Sequence, residues 1–310
     1  MLRPQIKAHM MIFVDNQCTG SKIKMETNRF IHGRCENVLR SFENGSVDFI
    51  LTSPPYADQR SYGVKNASIK PDKYVEWFKP MAQEIYRVLK DDGSFVLNIN
   101  DKVVGGVQQI YVFELVIYLC KELNFNLVRD YIWHNPSTPP NIYGTGKYGR
   151  TKKSHEYCFW FSKSDKWTFN LDPIRKAYSP DMNKYLEGRG NGGRNQNTRP
   201  STHTFNCEVR WTDHGGADPG SVITIANTSS NDTFFKLCKE RNIHHPARFP
   251  IQLAEFFILA GTNEGDIVLD PFSGSGTTCV AAHKHNRKWI GIEANKDYCE
   301  LATERLNLEL

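Results

Sequence analysis

A short apolar run, Ile267-Val268-Leu269, leads into Asp270-Pro271-Phe272-Ser273-Gly274-Ser275-Gly276 and then into a helical stretch, Thr277–His285. A strand, a glycine-bearing turn and a helix in that order restrict the fold to a layered α/β architecture. The glycines let the backbone approach a ligand closely, and the helix N-terminus presents N–H groups to it. Seventeen residues after Gly276, the run Trp289–Ile292 ends at Glu293. An acid at the end of that next strand can accept hydrogen bonds from both hydroxyls of a ribose. Asp270, Pro271, Phe272, Gly274, Gly276, Thr277 and Glu293 are therefore the candidate binding residues for a nucleoside-bearing cofactor.

The rest of the chain alternates in the same way. Strands are predicted at 47–52, 94–99, 127–133, 157–161, 266–269 and 289–292. Helices are predicted at 74–90, 110–123, 250–260, 277–285 and 296–306, with Asp91-Asp92-Gly93 as the stop after the first of them. Strands alternating with helices imply a mostly parallel sheet covered on both faces. With 310 residues, 39% hydrophobic and 24% charged, the chain has the composition of a globular protein with a sizeable core, not of a disordered, collagen-like or disulfide-dense one. No apolar run approaches the roughly 20 residues of a membrane helix. Arg3, Lys7 and His9 precede no apolar segment of signal-peptide length, and the expectation is a cytoplasmic protein. The eight cysteines form no Cys-x-x-Cys pair and read as reduced, small hydrophobic residues. His244-His245 and His283/His285 lack a third ligand at a usual spacing, so no metal site is expected.

Charge is unevenly placed. Between Lys147 and Asp213 there are 13 Lys/Arg against 7 Asp/Glu, an excess larger than the +5 of the whole chain. The same stretch holds Glu187-Gly-Arg-Gly-Asn-Gly-Gly-Arg194, which cannot bury much apolar surface by itself. It reads either as a solvated loop or as a polyanion-binding segment whose side chains suit phosphates and base edges.

A second motif, Thr52-Ser53-Pro54-Pro55-Tyr56, closes the buried strand 47–52. Ligands in open α/β sheets bind at that edge. Two prolines fix a rigid turn and leave carbonyls for a guest. The Ser53 hydroxyl, a fixed carbonyl and the flat face of Tyr56 form a receptor for a planar ring bearing an amino group.

In their order these segments resemble the β group of S-adenosylmethionine-dependent DNA amino-methyltransferases. In that group the catalytic Ser/Asp-Pro-Pro-Tyr comes first, a target-recognition region follows, and the Phe-x-Gly-x-Gly cofactor motif lies near the C-terminus. His245-Pro246-Ala247-Arg248-Phe249-Pro250 and Asn295–Tyr298 resemble the segments that flank the cofactor motif. The resemblance implies a Rossmann-like methyltransferase sheet with permuted motif order. It divides the chain into an N-terminal extension (1–28), a catalytic half (29–146), a basic target-recognition region (147–221) and a cofactor-binding half (222–310). It implies S-adenosyl-L-methionine as cofactor and double-stranded DNA as partner, with Lys152, Lys153, Arg189, Arg194, Arg199 and Arg210 as candidate DNA contacts. A cognate restriction endonuclease acting separately, and a monomer or homodimer in a prokaryotic cytoplasm, belong to the same expectation.

Ser53, Pro54, Pro55 and Tyr56 are then the catalytic residues. Ser53 and the Pro54 carbonyl would orient the exocyclic amine, and Tyr56 would stack on a base flipped out of the duplex. Asn98, Asn100 and Asp101 are candidates for the pocket wall. Serine before Pro-Pro-Tyr resembles the N4-cytosine subgroup, with N6-adenine as the alternative base and RNA as the less favoured substrate. A nicotinamide oxidoreductase would use the glycine turn and Glu293 but leave Ser-Pro-Pro-Tyr unexplained. The family often has Gly-Asp before the catalytic strand, the acid touching adenine, where this chain has Gly33-Arg34; Glu36 or a backbone group must then substitute.

Overall fold

The computed structural model describes residues 12–13, 26–57, 69–139, 146–147, 149–188, 213–227, 233–243 and 248–309. Eleven strands lie among them: β1 (Ile12–Phe13), β2 (Arg29–His32), β3 (Val47–Thr52), β4 (Leu89–Ile99), β5 (Val103–Val104), β6 (Val107–Gln108), β7 (Asn126–His134), β8 (His155–Ser162), β9 (Val222–Thr224), β10 (Ile267–Asp270) and β11 (Lys288–Glu293). The helices are α1 (Cys35–Leu39), α2 (Tyr74–Val88), α3 (Tyr111–Lys121), α4 (Pro180–Leu186), α5 (Thr233–Glu240), α6 (Ile251–Gly261), α7 (Thr277–Lys284) and α8 (Lys296–Glu309).

Nine strands form one sheet in the order β1-β2-β11-β10-β3-β4-β8-β7-β9. Pairing is parallel from β1 to β4 and again between β7 and β9. Only β8 runs against its neighbours. The mostly parallel α/β sheet expected from the alternation is the one observed. The strands β3 and β10, which carry the two motifs, are adjacent at its centre, with Val268 opposite Phe49 and Leu269 opposite Ile50.

The central strands are nearly continuous apolar runs because both faces are covered. On one face Ile50, Leu97, Phe95 and Leu269 join Val38 of α1, Phe78, Ile85 and Val88 of α2 and Leu115 of α3 in a single core cluster. On the other, Phe49 meets Trp160 at 5.9 Å between ring centroids, and Trp160 meets Phe257 of α6 at 6.1 Å. Aromatic rings in such edge-to-face contacts interlock well and bury large areas.

One boundary differs from the sequence reading. The strand after α2 begins at Leu89 and incorporates Asp91-Asp92-Gly93, which was expected as a turn. The register supplies the reason. Val47 pairs with Leu89 and Phe49 with Ser94, so the extra residues are taken up in a bulge. Gly93 sits there because a Cβ would lie 2.9 Å from the Asp48 carbonyl oxygen. The strands β1 and β2, the β5–β6 hairpin, and helices α1 and α4 are too short to carry a readable period, whereas α5, with Phe234, Leu237 and Cys238 at helical spacing, is an element the sequence reading passed over.

Residues 170–220 form a separate compact unit, and the remainder of the chain forms the other. Within 170–220, Lys176 and Ala217 exchange two backbone hydrogen bonds of 2.9 and 2.8 Å. Arg175 pairs with Asp172 and Asp218. Helix α4 starts at Pro180 and is capped by Ser179, whose hydroxyl accepts from the Met182 amide. The strand β8 at 155–162 belongs to the large sheet.

Gly261 closes α6 directly over Phe49, where a Cβ would lie 2.3 Å from the ring. Gly261→Ala is expected to lower stability by about 1–3 kcal/mol through overpacking. A thermal unfolding scan showing a parental melting temperature would contradict this packing.

Candidate active site

The glycine turn is built from beneath. Gly276, at φ +73°, starts α7 in the left-handed region. A Cβ there would lie 2.8 Å from the Phe30 ring. Arg305 of α8, 4% exposed, reaches under the turn and donates to the Ser275 carbonyl and to the Thr277 hydroxyl, both at 3.0 Å. The Gly274 amide donates to one Glu293 carboxylate oxygen at 2.8 Å, and the Asn295 amide to the other at 2.7 Å. Burial pushes the Glu293 carboxyl up to about 7, while those amides pull it back. Among the described residues the buried Ser273 hydroxyl has no hydrogen-bond partner. An unpaired hydroxyl beside a half-buried carboxylate at a helix N-terminus is what a polar ligand such as a ribose would satisfy. Phe272 backs onto Phe78 and Trp77, with ring centroids 6.2 and 6.1 Å away.

Two of the residues expected to touch a cofactor instead serve the interior. Thr277 is 3% exposed, and its hydroxyl is taken by Ser275 and Arg305. Asp270 is 2% exposed. Its carboxylate accepts from Thr52 at 2.6 Å, from Thr278 at 2.7 Å and from the Phe272 amide at 3.1 Å. Burial pushes this carboxyl up to about 6, against those three donors. Asp270 thus ties the end of β3 to the start of α7 and holds both motifs at one sheet edge.

Thr52 is followed directly by Ser53, at the mouth of that edge. Tyr74 donates to the Pro55 carbonyl at 2.9 Å and fixes the turn. Among the described residues nothing donates to the Pro54 carbonyl. The Ser53 hydroxyl lies 3.1 Å from the Tyr56 hydroxyl. Tyr56 in turn donates to Glu156 at 2.6 Å and lies 3.1 Å from the Asn98 side-chain oxygen. The expected stacking face is therefore largely inside the protein, since Tyr56 is 7% exposed, and its hydroxyl is the centre of a polar network. Asn98, also expected in the wall, is 1% exposed and donates to Glu156 and to the Tyr157 carbonyl. Asp101 accepts from Gln108 at 2.7 Å and pairs with Lys153.

That pairing changes the reading of Lys153. Its ammonium is committed to a buried carboxylate and lies 4.8 Å from the centre of the Tyr157 ring. Lys152 donates to the Thr138 carbonyl at 3.0 Å and is exposed. Arg189, Arg194, Arg199 and Arg210 lie outside the described residues, as do His244 and His245. Among the described residues no group of three His, Cys, Asp or Glu could hold a metal. Arg34, at the position where an acid is usual, donates to Glu36 at 2.6 Å. The Gly33 amide donates to the Glu293 carbonyl at 2.9 Å, and the Glu36 carboxylate is held by Arg34.

Sequence reasoning missed Glu156 and Arg305. Glu156 was one acid among many in a basic segment. The signal that could have found it is the strand 157–161 beside it, whose start must face the site if it runs antiparallel.

Comparison with known proteins places this geometry in context. A family model described as DNA methylase matches residues 47–304. The type II methyltransferase M.PvuII of Proteus hauseri is 36% identical over 266 residues, covering 84% of this chain and 78% of that protein. A solved structure of the PvuII DNA methyltransferase, described as cytosine-N4-specific, superposes with a TM-score of 0.68 at 30% identity, over 89% of this chain and 85% of that one. The M1.HpyAVI–SAM complex shares the fold, with a TM-score of 0.55 at 21% identity over 90% of this chain and 98% of that one.

Two outcomes follow from the buried acids. Thr52→Val removes one hydrogen bond to the Asp270 carboxylate and should cost about 1.5–3 kcal/mol in a denaturant titration. Glu293 has its folded-state value raised above the ordinary glutamate range, so its contribution favours the fold at low pH. That contribution is lost as pH rises from about 4.5 to about 7. Denaturation midpoints measured across this window should fall with pH in the parent and fall less in Glu293→Gln.

Proposed function

We propose, from the premise that the chain belongs to the DNA methylase family, that it methylates the exocyclic N4 amine of cytosine in double-stranded DNA. Its methyl donor is S-adenosyl-L-methionine, and its setting is the modification half of a type II restriction–modification pair whose endonuclease is a separate protein. The observation that carries this reading is the Thr52–Asp270 bond, which holds the Ser53-Pro54-Pro55-Tyr56 turn at the same sheet edge as the glycine turn.

When bound, the donor supplies an electrophilic methyl group on a sulfonium. Glu293 would accept from the ribose hydroxyls, the backbone at Gly274 and Gly276 would allow close approach, Phe272 would form a wall, and Glu36, paired with Arg34, would be an acceptor for an adenine amine. An exocyclic amine is a weak nucleophile because its lone pair is conjugated with the ring. Ser53 and the Pro54 carbonyl accept its two hydrogens and turn the lone pair out of the ring plane. The contribution is one of positioning and preorganised dipoles. The amine is out of reach inside a duplex, so the base must be flipped into this pocket.

For the basic region, 147–221, we assign DNA recognition. Lys152, Arg189, Arg194, Arg199 and Arg210 supply phosphate or guanine contacts, and Lys153 contributes through Asp101 instead. Their excess of positive charge and the family's motif order support this role.

The test is mass spectrometry of nucleosides from plasmid DNA of a methylation-deficient host expressing the chain. N4-methylcytosine is expected. N6-methyladenine would change the target base and keep the pocket; neither product, from folded protein that binds the donor, would overturn the reading. Ser53→Ala should yield no methylated base while binding S-adenosyl-L-methionine as the parent does. A Ser53→Ala protein that still modifies DNA would remove Ser53 from the mechanism.

A further inference from the structure

Methylating an amine creates a surplus proton, and serine alone is a poor destination for it. We propose that Glu156 receives that proton through the hydroxyls of Tyr56 and Ser53, a role that rests on the amine-methylating function inferred above.

The three groups are in sequence. Ser53 Oγ lies 3.1 Å from Tyr56 Oη, and Tyr56 Oη lies 2.6 Å from Glu156 Oε2. A phenol has one proton to give. Among the described residues its acceptors are Glu156 at 2.6 Å and the Asn98 amide oxygen at 3.1 Å. The shorter contact is to the carboxylate, as a charge-assisted bond requires. With its proton directed to Glu156, Tyr56 accepts from Ser53, and the Ser53 oxygen keeps lone pairs to accept from the substrate amine.

The carboxylate is held for this. Asn98 Nδ2 lies 3.3 Å from the same Glu156 oxygen and is itself fixed by the Tyr157 carbonyl at 3.2 Å. Antiparallel pairing sets Asn98 opposite Cys158, which brings the start of β8 to the ends of β3 and β4.

The step balances. As the nitrogen lone pair forms the N–CH3 bond, the S–CH3 bond breaks with its electron pair on sulfur, and the nitrogen becomes positive. The nitrogen passes a proton to Ser53 Oγ, Ser53 passes its own to Tyr56 Oη, and Tyr56 passes its own to Glu156. Both hydroxyls end neutral, Glu156 ends protonated, and the product amine ends neutral. Glu156 returns its proton to solvent after product leaves. Glu156 never touches the substrate; it acts through Tyr56, so it is a positioning residue for the proton.

The test compares the parent with Glu156→Gln, Tyr56→Phe and the double variant in single-turnover methylation of unmodified plasmid DNA. Glu156→Gln is expected to slow the chemical step about 100-fold. Its affinities for DNA and for S-adenosyl-L-methionine stay at the parental values. The double variant should be no slower than the slower single one, because the residues act as a unit. Mixtures of light and heavy water should give a curved rate dependence in the parent, reporting more than one proton in motion, and a linear one in both single variants. A readout independent of activity is the Tyr56 hydroxyl proton in the NMR spectrum: downfield in the parent, absent in Tyr56→Phe and displaced in Glu156→Gln.

Glu156→Gln at the parental rate overturns the proposal, as do multiplicative losses in the double variant. If Glu156→Gln loses its binding affinities or does not fold, Tyr56→Phe decides, since it leaves the carboxylate and its Asn98 bond in place. A parental rate in Tyr56→Phe then overturns the relay. A parent that methylates no DNA amine refutes the methylation reading itself; an active parent with unaffected variants refutes only the proton route.

Discussion

The site depends on one buried carboxylate. Asp270 gains no stability from its charge; burial works against it. What it supplies is geometry. Its two oxygens hold Thr52, the last residue of β3, and Thr278, in the first turn of α7. Ser53 follows the first and the glycine turn precedes the second. A buried acid that accepts three hydrogen bonds leaves its donors little freedom, because each broken bond would strand a polar group away from water. The relative position of the Ser-Pro-Pro-Tyr turn and the glycine turn is thereby fixed through a single side chain, with Arg305 bracing the latter from α8.

Much of this was legible in the chain. The strand–turn–helix at 267–284 and the Ser-Pro-Pro-Tyr motif follow from residue types whose backbone requirements are local, glycine and proline above all. The parallel core strands were readable because burial on both faces demands unbroken apolar runs. The bulge at Asp91-Asp92-Gly93 was not, because its cause lies in the partner strand: the register against β3 absorbs residues that in isolation look like a turn.

The site residues divide along the same line. The turn at Gly274 and Gly276 and the strand end at Glu293 could be placed because they follow from the local backbone. Asp270, Thr277 and Tyr56 were recognised as important, but the direction of their polar atoms depends on Thr52, Arg305 and Glu156, which are far away in sequence. Lys153 shows the limit of counting charge. A lysine in a basic segment reads as a phosphate contact, yet this one neutralises Asp101. Charge density is a property of a segment, whereas pairing is a property of three-dimensional neighbours.

The reversal of β8 has a consequence for how such sites diverge. Glu156 shares a sheet face with Cys158 and Trp160, both wholly buried, and their spacing is set by the two-residue repeat of the strand. A single insertion between Glu156 and Trp160 would turn the acid to the opposite face. Insertions in the connection from β7 to β8 would leave it where it is. The count of residues from Ser53 to Glu156 is consequently free to drift among descendants of a common ancestor, while the interval from the acid to its aromatic anchor is not. Homologous acids should therefore be aligned from the tryptophan backwards rather than from the serine forwards.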